Sequence, residues 1–411
     1  MTPDKIDEKT LKEAFTIDKK RSKKGEKLDK KHLIFLIIGI IGILGGLVCL
    51  LVGIFGIQQK TSELFFAGEE GSDEEVVYSA LTGEPLADAS LLTAPAYCIQ
   101  TPNGTDGARP QSGLTEAGVV FEAIAEAGIT RFAAIYQNPS SAVIGPIRSL
   151  RIYYLEWDTP FDCTIVHAGG AADAIAAVAS GGYKDLSEDY NYMYRGTYGS
   201  RLWNNLFTTS AYLKQFSADR GYNTSNINGF TRMTPKESEV ARIDALVEEE
   251  FDILVATDRD TSEIAAAVSS INLNFGGWAN FNVHYDYNAE TNTYNRSYES
   301  GVAHEVYTCA AEDLGEKNPE DVCSLAQLSP AVVVAMVVQE HKASDNYHED
   351  ITTTGTGKVY IFQNGTAIEG SWSKSSRDDQ IKFYDAEGKE VALVPGQTFI
   401  SAVPNYGSVE Y

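Results

Sequence analysis

A stretch of 25 residues without one charged side chain, Leu33–Ile57, constrains this chain more than any other feature. At about 1.5 Å per residue, a helix of this length crosses a hydrocarbon core of about 30 Å. A cleaved signal peptide is disfavoured, because a polar tail of 32 residues precedes the stretch and no A-x-A site follows it. A lipobox is also disfavoured, since Cys49 follows Val48 rather than a small residue. We therefore predict one transmembrane helix over residues 33–57.

Charge is distributed unevenly on the two sides of this stretch. Residues 1–32 carry 11 Lys and Arg against 7 Asp and Glu, whereas residues 61–411 carry 21 against 50. The positive-inside rule therefore predicts a basic cytoplasmic tail over 1–32, with an acidic linker over 58–77 and the rest of the chain outside the cell membrane. A body this acidic repels phosphate backbones, which argues against nucleic acid as a partner.

Glycines recur along the predicted span at spacings of three and four, and Gly42 and Gly46 form a GxxxG pair. A stripe of small residues lets two helices approach closely, so one interpretation is a dimer through Gly42 and Gly46 within the lipid bilayer. The alternative is that glycine is simply frequent in transmembrane helices.

Four cysteines, Cys98, Cys163, Cys309 and Cys323, follow the predicted span, an even number that fits an oxidising compartment. Cys309 and Cys323 bracket a polar, acidic insertion, so a disulfide that closes this loop is the favoured pairing. Cys98 and Cys163 lie in two apolar, strand-like runs, and they are either bridged or free core thiols. The cysteine and histidine spacings do not suggest a zinc site, and we predict neither a metal nor a cofactor.

The first predicted domain, residues 78–228, alternates strand and helix patterns, which favours helices packed on a sheet. The predicted strands are Tyr97–Thr101, Thr130–Gln137, Ala142–Ile147 and Asp162–His167. The predicted helices are Thr115–Gly128, a segment that carries Leu150, Tyr153, Tyr154 and Trp157 on one face, and Ala171–Ser180.

The second predicted domain, residues 229–411, is rich in strands after a helix at Ser238–Glu250. Its predicted strands are Phe281–Tyr287, Leu328–Val338, Gly357–Gln363, Gly370–Lys374, Ile381–Asp385 and Glu390–Val394, with tight turns at Asn364-Gly365 and Glu387-Gly388. The predicted fold class is therefore α+β: an α/β layered domain followed by a β-rich domain.

Several sequence blocks resemble one known family. They are LTGEPLAD, GARPQSGLTEAGVVFEAIAEAGITRFAAIYQ, IGPIRSLRIYYLEW, IVHAGGA, NNLFTTSAYL and the C-terminal run that begins GKVYIFQNGTAIEGSWSK. In this order, over about residues 78–405, they resemble the YerB-like family of bacterial extracytoplasmic proteins, which are usually lipoproteins. The resemblance implies an envelope location, but the family has no established biochemical activity to carry over. Two features depart from the family: the transmembrane anchor, and Asn204 where the pattern leads us to expect histidine.

Arginine supplies every basic side chain between residues 61 and 183. Three of these arginines, with a histidine and a glycine pair, follow predicted strands, so parallel strands would gather them at one carboxyl edge of the sheet. Guanidinium groups suit carboxylate or phosphate, and a glycine loop before a helix offers free N–H groups. The predicted ligand-binding residues are Arg109, Gln111, Ser112, Arg148, Arg151, His167, Gly169 and Gly170.

The competing interpretation of these residues is structural. The arginines would pair with carboxylates to order loops, and the candidate partners are Glu122, Glu126, Glu156 and Asp162. Arg131 is the weakest candidate for the site, because it begins a strand and is expected at the opposite edge. A tyrosine-rich stretch with Arg195 and Arg201 is either a stacking surface for sugars or peptides or a cover for the core.

Sequence motifs do not assign catalytic residues, because the chain lacks a G-x-S-x-G elbow, a P-loop and an H-E-x-x-H motif. The favoured hypothesis is an envelope protein that binds an anionic cell-wall component or a partner protein. The alternative is an enzyme acting on a phosphate- or carboxylate-bearing wall substrate, with His167 or a carboxylate as general base. A third hypothesis is a scaffold that signals through the cytoplasmic tail.

Overall fold

The computed structural model describes residues 76–197, 204–242, 268–310 and 318–411. Val76–Tyr411 form one compact unit. The predicted tail, the predicted span at 33–57 with its Gly42–Gly46 pair, and most of the predicted linker lie outside the described residues. Among the residues that the structure describes, no helix is long and apolar enough to cross a membrane.

The elements of the first half of this unit alternate less regularly than the sequence predicts. Its strands are β1 (Ala96–Pro102), β2 (Val119–Glu126), β3 (Ile129–Gln137), β4 (Thr164–His167), β5 (Lys184–Ser187), β6 (Tyr194–Arg195) and β7 (Leu206–Phe207). Its helices are α1 (Ile152–Asp158), α2 (Ala172–Ala179) and α3 (Ser210–Arg220).

The second half is built mainly of strands. They are β8 (Ser270–Asn274), β9 (Val283–Asn288), β10 (Thr293–Tyr298), β11 (Glu305–Thr308), β12 (Ser324–Gln327), β13 (Val332–Val338), β14 (Glu340–Lys342), β15 (Glu349–Ile351), β16 (Gly355–Gln363), β17 (Thr366–Lys374), β18 (Lys382–Asp385), β19 (Thr398–Pro404) and β20 (Ser408–Glu410). The fold is thus mixed α+β, with mostly strands and few helices among the described residues.

One sheet runs through both halves of the unit. Within the described residues it has ten strands in the order β18-β17-β16-β13-β19-β2-β3-β1-β4-β5. The central strands are nearly continuous apolar runs, as in VVVAMVV of β13, because both faces of the sheet are covered. The predicted domain boundary between residues 228 and 229 therefore divides the sequence but not the sheet, because strands from both sides of it belong to this one sheet.

The two faces of this sheet bury different side chains because successive residues of a strand point in opposite directions. Cys98 and Phe121 face one core, where the ring of Phe121 stacks on Trp157 of α1 at a centroid distance of 5.3 Å. Tyr97 and Val120 face the other core. A separate sheet, β10-β9-β8-β20 among the described residues, packs its tyrosines against a third apolar cluster with residues of β13.

The prediction of a helix at Thr115–Gly128 is wrong, because most of this segment is β2. Its apolar residues satisfy a helical period, but they also form a run that is buried on both faces between β3 and β19. Ala127 and Gly128 have φ values of 52° and 77° and form a two-residue turn into β3. Tertiary pairing therefore outweighed the helical preference of the alanines and glutamates.

Other predicted elements have mixed outcomes. Ala142–Ile147 is extended but forms isolated bridges at Ile144 and Gly145 rather than a regular strand, and Glu390–Val394 likewise is not a strand. The predicted helix at Ser238–Glu250 is helical through residue 242, and the remainder lies outside the described residues. The sequence alone did not predict β5, β6, β7, β8, β10, β11, β12, β14, β15, β19 and β20.

The four cysteines within the described residues form two disulfides. Cys309 and Cys323 close the loop between β11 and β12, the pairing that the sequence favours. Cys98 of β1 is bridged to Cys163 immediately before β4, which decides between the two alternatives left open by the sequence. The Cys98–Cys163 disulfide links β1 to the residue that precedes the adjacent parallel strand β4, and its two cysteines have a sequence separation of 65.

Candidate functional site

The carboxyl ends of several strands meet at one edge of the large sheet. β1 is parallel to β4, β4 is parallel to β5, and β2 is parallel to β19. β3 runs in the opposite direction between β1 and β2, so its first residues lie at the same edge. Arg131, at the start of β3, is therefore brought to the carboxyl edge, and the expectation that it lies at the opposite edge is wrong.

Glu126, the last residue of β2, binds two arginines at this edge. Arg131 Nη2 lies 2.7 Å from Glu126 Oε1, and Arg151 Nη2 lies 2.5 Å from Glu126 Oε2. Both arginines are almost fully buried. Burial raises the pKa of Glu126, but the charges of Arg131 and Arg151 outweigh it and hold that pKa below its ordinary value. The structural interpretation is therefore correct for Arg151, which is engaged within the protein.

Arg148 is the third arginine near this carboxylate, and it differs from the other two. Its backbone N–H donates to the carbonyl of Gln100 at 2.7 Å, and its carbonyl accepts from the N–H of Ala168 at 3.0 Å. These bonds hold Arg148 between the end of β1 and the loop after β4. Its side chain is half-buried, and within the described ranges it has no carboxylate at ion-pair distance. Its buried Nε has no partner there, a feature that it shares with Arg131 and Arg151.

Burial and nearby carboxylates act in opposite directions on the pKa of Arg148. Burial lowers the pKa of its guanidinium, while Glu126 and Asp106 act in the opposite direction. Glu126 already accepts from Arg131 and Arg151, so three guanidinium groups lie near two carboxylates, those of Glu126 and Asp106.

His167 lies at the end of β4 as predicted, but both of its ring nitrogens are engaged. Nδ1 lies 2.7 Å from the carbonyl oxygen of Gly169, and Nε2 lies 2.9 Å from Asp185 Oδ1. The imidazole is buried, with 1% of the residue exposed. His167 therefore orders the loop and cannot accept a proton from a substrate without losing one of these contacts. Gly169 and Gly170 are exposed beside it.

Gln111 and Ser112 lie in the interior rather than in an open site. The amide nitrogen of Gln111 donates to the carbonyl of Pro102 at 3.0 Å, and its oxygen lies 3.0 Å from His304 Nε2. The hydroxyl of Ser112 donates to the carbonyl of Val143 at 3.0 Å. Both residues thus fasten the loop after β1 to neighbouring elements.

Arg109 belongs to a different part of the molecule from Arg148. Its guanidinium lies over the ring of Tyr298 at 3.8 Å, and its Nε donates to Asn103 Oδ1 at 2.9 Å. Nη1 and Nη2 both reach the carbonyl of Asn280 at 3.3 Å. The four predicted basic groups therefore do not form one cluster: Arg148 and Arg151 lie near Glu126, whereas Arg109 faces the β9–β10 region.

The sequence reading missed a buried ion pair that connects the two halves of the unit. Arg296 Nη2 donates to Glu122 Oε2 at 2.9 Å, and neither side chain is exposed. Arg296 also donates to the hydroxyl of Tyr285 at 2.6 Å and to His304 Nδ1 at 2.9 Å. The sequence did contain a signal for this ion pair. Tyr294 and Arg296 alternate on the inward face of β10, and an arginine that faces inward requires a partner.

His304 is neutral in this network. Burial, together with the charge of Arg296, drives the pKa of His304 well below its ordinary value. Its Nδ1 then accepts from Arg296 while Nε2–H donates to Gln111. Among the described residues, no group of three His, Cys, Asp or Glu side chains is arranged to hold a metal ion.

Comparisons with known proteins agree with the order of the sequence blocks. Two family models match: the N-terminal domain of a protein of unknown function (DUF3048) at residues 81–223, and its C-terminal domain at residues 271–400. The chain is also 29% identical over 307 residues to the putative lipoprotein YerB of Bacillus subtilis (strain 168), covering 74% of this chain and 80% of that protein. The chain belongs to the YerB-like DUF3048 family.

The fold of this DUF3048 protein is similar to a solved structure as well. The crystal structure of the YerB protein from Bacillus subtilis matches with a TM-score of 0.62 and 23% sequence identity. The match covers 82% of this chain and 100% of that chain, which extends the likeness to both halves of the unit.

Asn204, where the family pattern leads us to expect histidine, lies close to the Arg148 region. It is 2% exposed, and its amide nitrogen donates to Asp106 Oδ1 at 3.2 Å. Its amide oxygen is buried without a partner among the described residues. An asparagine in this position orders the loop after β1, because its amide binds both the backbone and the side chain of Asp106.

The tyrosine-rich stretch of this family member is only partly described. Tyr198, Arg201 and Trp203 lie outside the described residues. Tyr192 packs edge-on against Phe216 at a centroid distance of 5.1 Å, which agrees with a role in covering the core. The interpretation as a cover for the core is therefore correct for Tyr192, whereas Tyr190 is 57% exposed.

Proposed function

We propose that this chain is a membrane-associated extracytoplasmic protein of the bacterial envelope that binds an anionic cell-wall component at Arg148. Membership in the YerB-like family and the similarity to a protein named a putative lipoprotein support the envelope location. The uncharged stretch at 33–57 and the basic residues before it support a single-pass anchor with a cytoplasmic N-terminus. The Gly42–Gly46 pair would allow two copies of this helix to associate.

The observation that carries the ligand proposal is the free guanidinium of Arg148. Arg131 and Arg151 are satisfied by Glu126, so their charge has a partner. Arg148 lacks one within the described part of the chain, although it is held in place by two backbone hydrogen bonds. The backbone that carries the side chain is thus ordered, and the N–H donors of the guanidinium match carboxylate or phosphate oxygens.

The neighbouring ion pairs contribute to the same binding site without contacting the ligand. Three guanidinium groups near two carboxylates leave one positive charge in excess in this cluster, which supports an anionic ligand. Gly169 and Gly170 are exposed in the loop that pairs with Arg148, and no atom of the described residues lies within 4 Å of the position that a Cβ on Gly169 would take, so this position leaves room for a bulky ligand. The shared ligand chemistry is therefore an oxyanion carried by a large wall component.

The experiment compares binding by the full chain, purified in detergent, of two ligands: carboxylate-bearing wall peptides and a phosphate-bearing wall polymer. We expect Arg148→Ala to weaken the preferred ligand by about tenfold or more, because a charged hydrogen bond contributes about 1.5–3 kcal/mol. Lys389→Ala removes the same charge from an exposed turn beside β18 and should leave the affinity unchanged. Equal affinities of wild type and Arg148→Ala for both ligands would remove the site. If the chain binds neither ligand but retains a partner protein, this result would favour the partner protein as the ligand instead.

The anchor is tested separately, at Cys49. A transmembrane helix predicts that Cys49→Ser remains in the membrane after alkaline extraction, because anchoring does not depend on the thiol. Loss of Cys49→Ser from the membrane, together with fatty-acid labelling of the wild type only, would show lipid attachment at this cysteine instead.

A further inference from the structure

A cavity of about 420 Å³ lies between the loop after β1 and the connection from β10 to β11. Its volume is within the range of roughly 300–1,000 Å³ that is typical of small-molecule sites. The residues that define its chemistry are Thr105, Arg109, Tyr298, Ser300, Val302 and Glu305. It shares none of these residues with the Arg148 site.

Arg109 is the cationic group of this cavity, and it is held rigidly. The guanidinium stacks on Tyr298, Nε donates to Asn103, and both terminal nitrogens reach the carbonyl of Asn280. A guanidinium has five N–H donors, and these contacts use three of them. Two donors remain, and Arg109 has no carboxylate at ion-pair distance in the ranges that the structure describes.

The other walls of the cavity restrict the ligand further. Val302 is 61% exposed, and its side chain offers contact to an aliphatic group. Glu305, the first residue of β11, is exposed, and its carboxylate repels a ligand with two negative charges more strongly than a ligand with one. The same carboxylate accepts from a hydrogen-bond donor such as a peptide N–H.

These groups fit a ligand with one carboxylate, one aliphatic side chain and an adjacent amide. We propose that this cavity binds the C-terminal carboxylate of a short peptide. The free N–H donors of Arg109 bind the carboxylate, Val302 contacts the C-terminal side chain, and Glu305 accepts from the peptide N–H. The pre-positioned guanidinium favours binding because it is already ordered before the ligand arrives.

The probe is N-acetyl-Ala-Val with a free carboxylate, titrated into the full chain and followed by calorimetry. Its C-terminal amide has the same shape without the charge. We expect the acid to bind with a Kd below about 1 mM and the amide to bind at least about tenfold more weakly, as for the loss of a charged hydrogen bond. Arg109→Gln should reduce the acid to the affinity of the amide.

Two further variants keep the test decisive even when Arg109→Gln does not fold. Val302→Ser changes an exposed side chain and should weaken N-acetyl-Ala-Val by a few-fold while leaving N-acetyl-Ala-Gly unchanged. Glu305→Gln should improve the binding of inorganic phosphate relative to the peptide acid. Arg148→Ala should leave the affinity for N-acetyl-Ala-Val unchanged, which separates this site from the proposed wall-ligand site.

Three results would overturn the proposal. The first is equal binding of acid and amide, or no binding of either. The second is an acid preference that survives in folded Arg109→Gln. The third is inorganic phosphate binding to the wild type as tightly as the peptide acid, since the cavity would then select a phosphate.

Discussion

Removal of Arg296 tests how the two halves of the unit are held together. Arg296 on β10 and Glu122 on β2 are 174 residues apart in sequence, and both side chains are fully buried. Burial opposes the charge of Arg296, but the carboxylate of Glu122 and the hydroxyl of Tyr285 outweigh it, so the pKa of Arg296 is raised. Arg296→Met keeps much of the volume and removes the charge and all of these hydrogen bonds.

The expected loss of stability in Arg296→Met follows from the buried groups that this substitution leaves without a partner. Breaking a buried ion pair by removing one partner costs about 3–5 kcal/mol, because the remaining charge stays in the interior. Glu122 would keep only its neutral contacts, with Thr130 at 2.9 Å and Asn103 at 3.3 Å. The hydroxyl of Tyr285 and Nδ1 of His304 also lose a donor. We therefore expect a loss of about 5 kcal/mol, a large share of the roughly 5–15 kcal/mol that stabilises a typical domain.

The assay is urea unfolding followed by circular dichroism, on the wild type and three variants. Glu122→Gln/Arg296→Met removes both charges, so we expect it to be more stable than Arg296→Met by about 2 kcal/mol or more. Lys358→Met breaks a half-exposed ion pair with Glu369 and should cost at most about 1 kcal/mol. A loss of less than about 1 kcal/mol in Arg296→Met, or a double variant less stable than the single one, would refute the reasoning.

Three further predictions concern other parts of the unit. Burial raises the pKa of Glu340 to about 7, above its usual 4.5, so the folded state binds more protons than the unfolded state between these values. Stability should therefore fall by up to about 3 kcal/mol from pH 4.5 to pH 8, and Glu340→Gln, measured by thermal unfolding across pH, should flatten this dependence; an unchanged slope would contradict it. Gly128→Ala should cost more than Gly388→Ala, since both have positive φ (77° and 83°) but only at Gly128 would a Cβ meet Trp278, at 2.9 Å; equal unfolding midpoints would show that the contact is relieved. Replacing Cys309 and Cys323 by serine opens a loop with a sequence separation of 14 and should cost about 3 kcal/mol in urea unfolding, with reductant having less effect on the variant than on the wild type.

The sequence alone identified those features that depend on composition or on neighbouring residues. The charge asymmetry about residues 33–57 and the family membership required no structure. The same holds for the apolar run of β13, the Asn364-Gly365 turn and the short Cys309–Cys323 loop, because each is encoded within a few residues. The predicted carboxyl edge was also partly correct, since β1 and β4 are parallel and bring Arg148 beside His167.

Tertiary structure alone decided the features that depend on pairing between distant segments. Thr115–Gly128 satisfies both helical and buried-strand patterns, and only its position between β3 and β19 selects the strand. The antiparallel direction of β3 brings Arg131 to Glu126, which occupies Arg131 and Arg151 and leaves Arg148 free. Charge pairing is a matter of distance in space rather than along the chain. For that reason the sequence could identify the arginines, but only the fold could distinguish those that a carboxylate occupies from those that keep unused N–H donors.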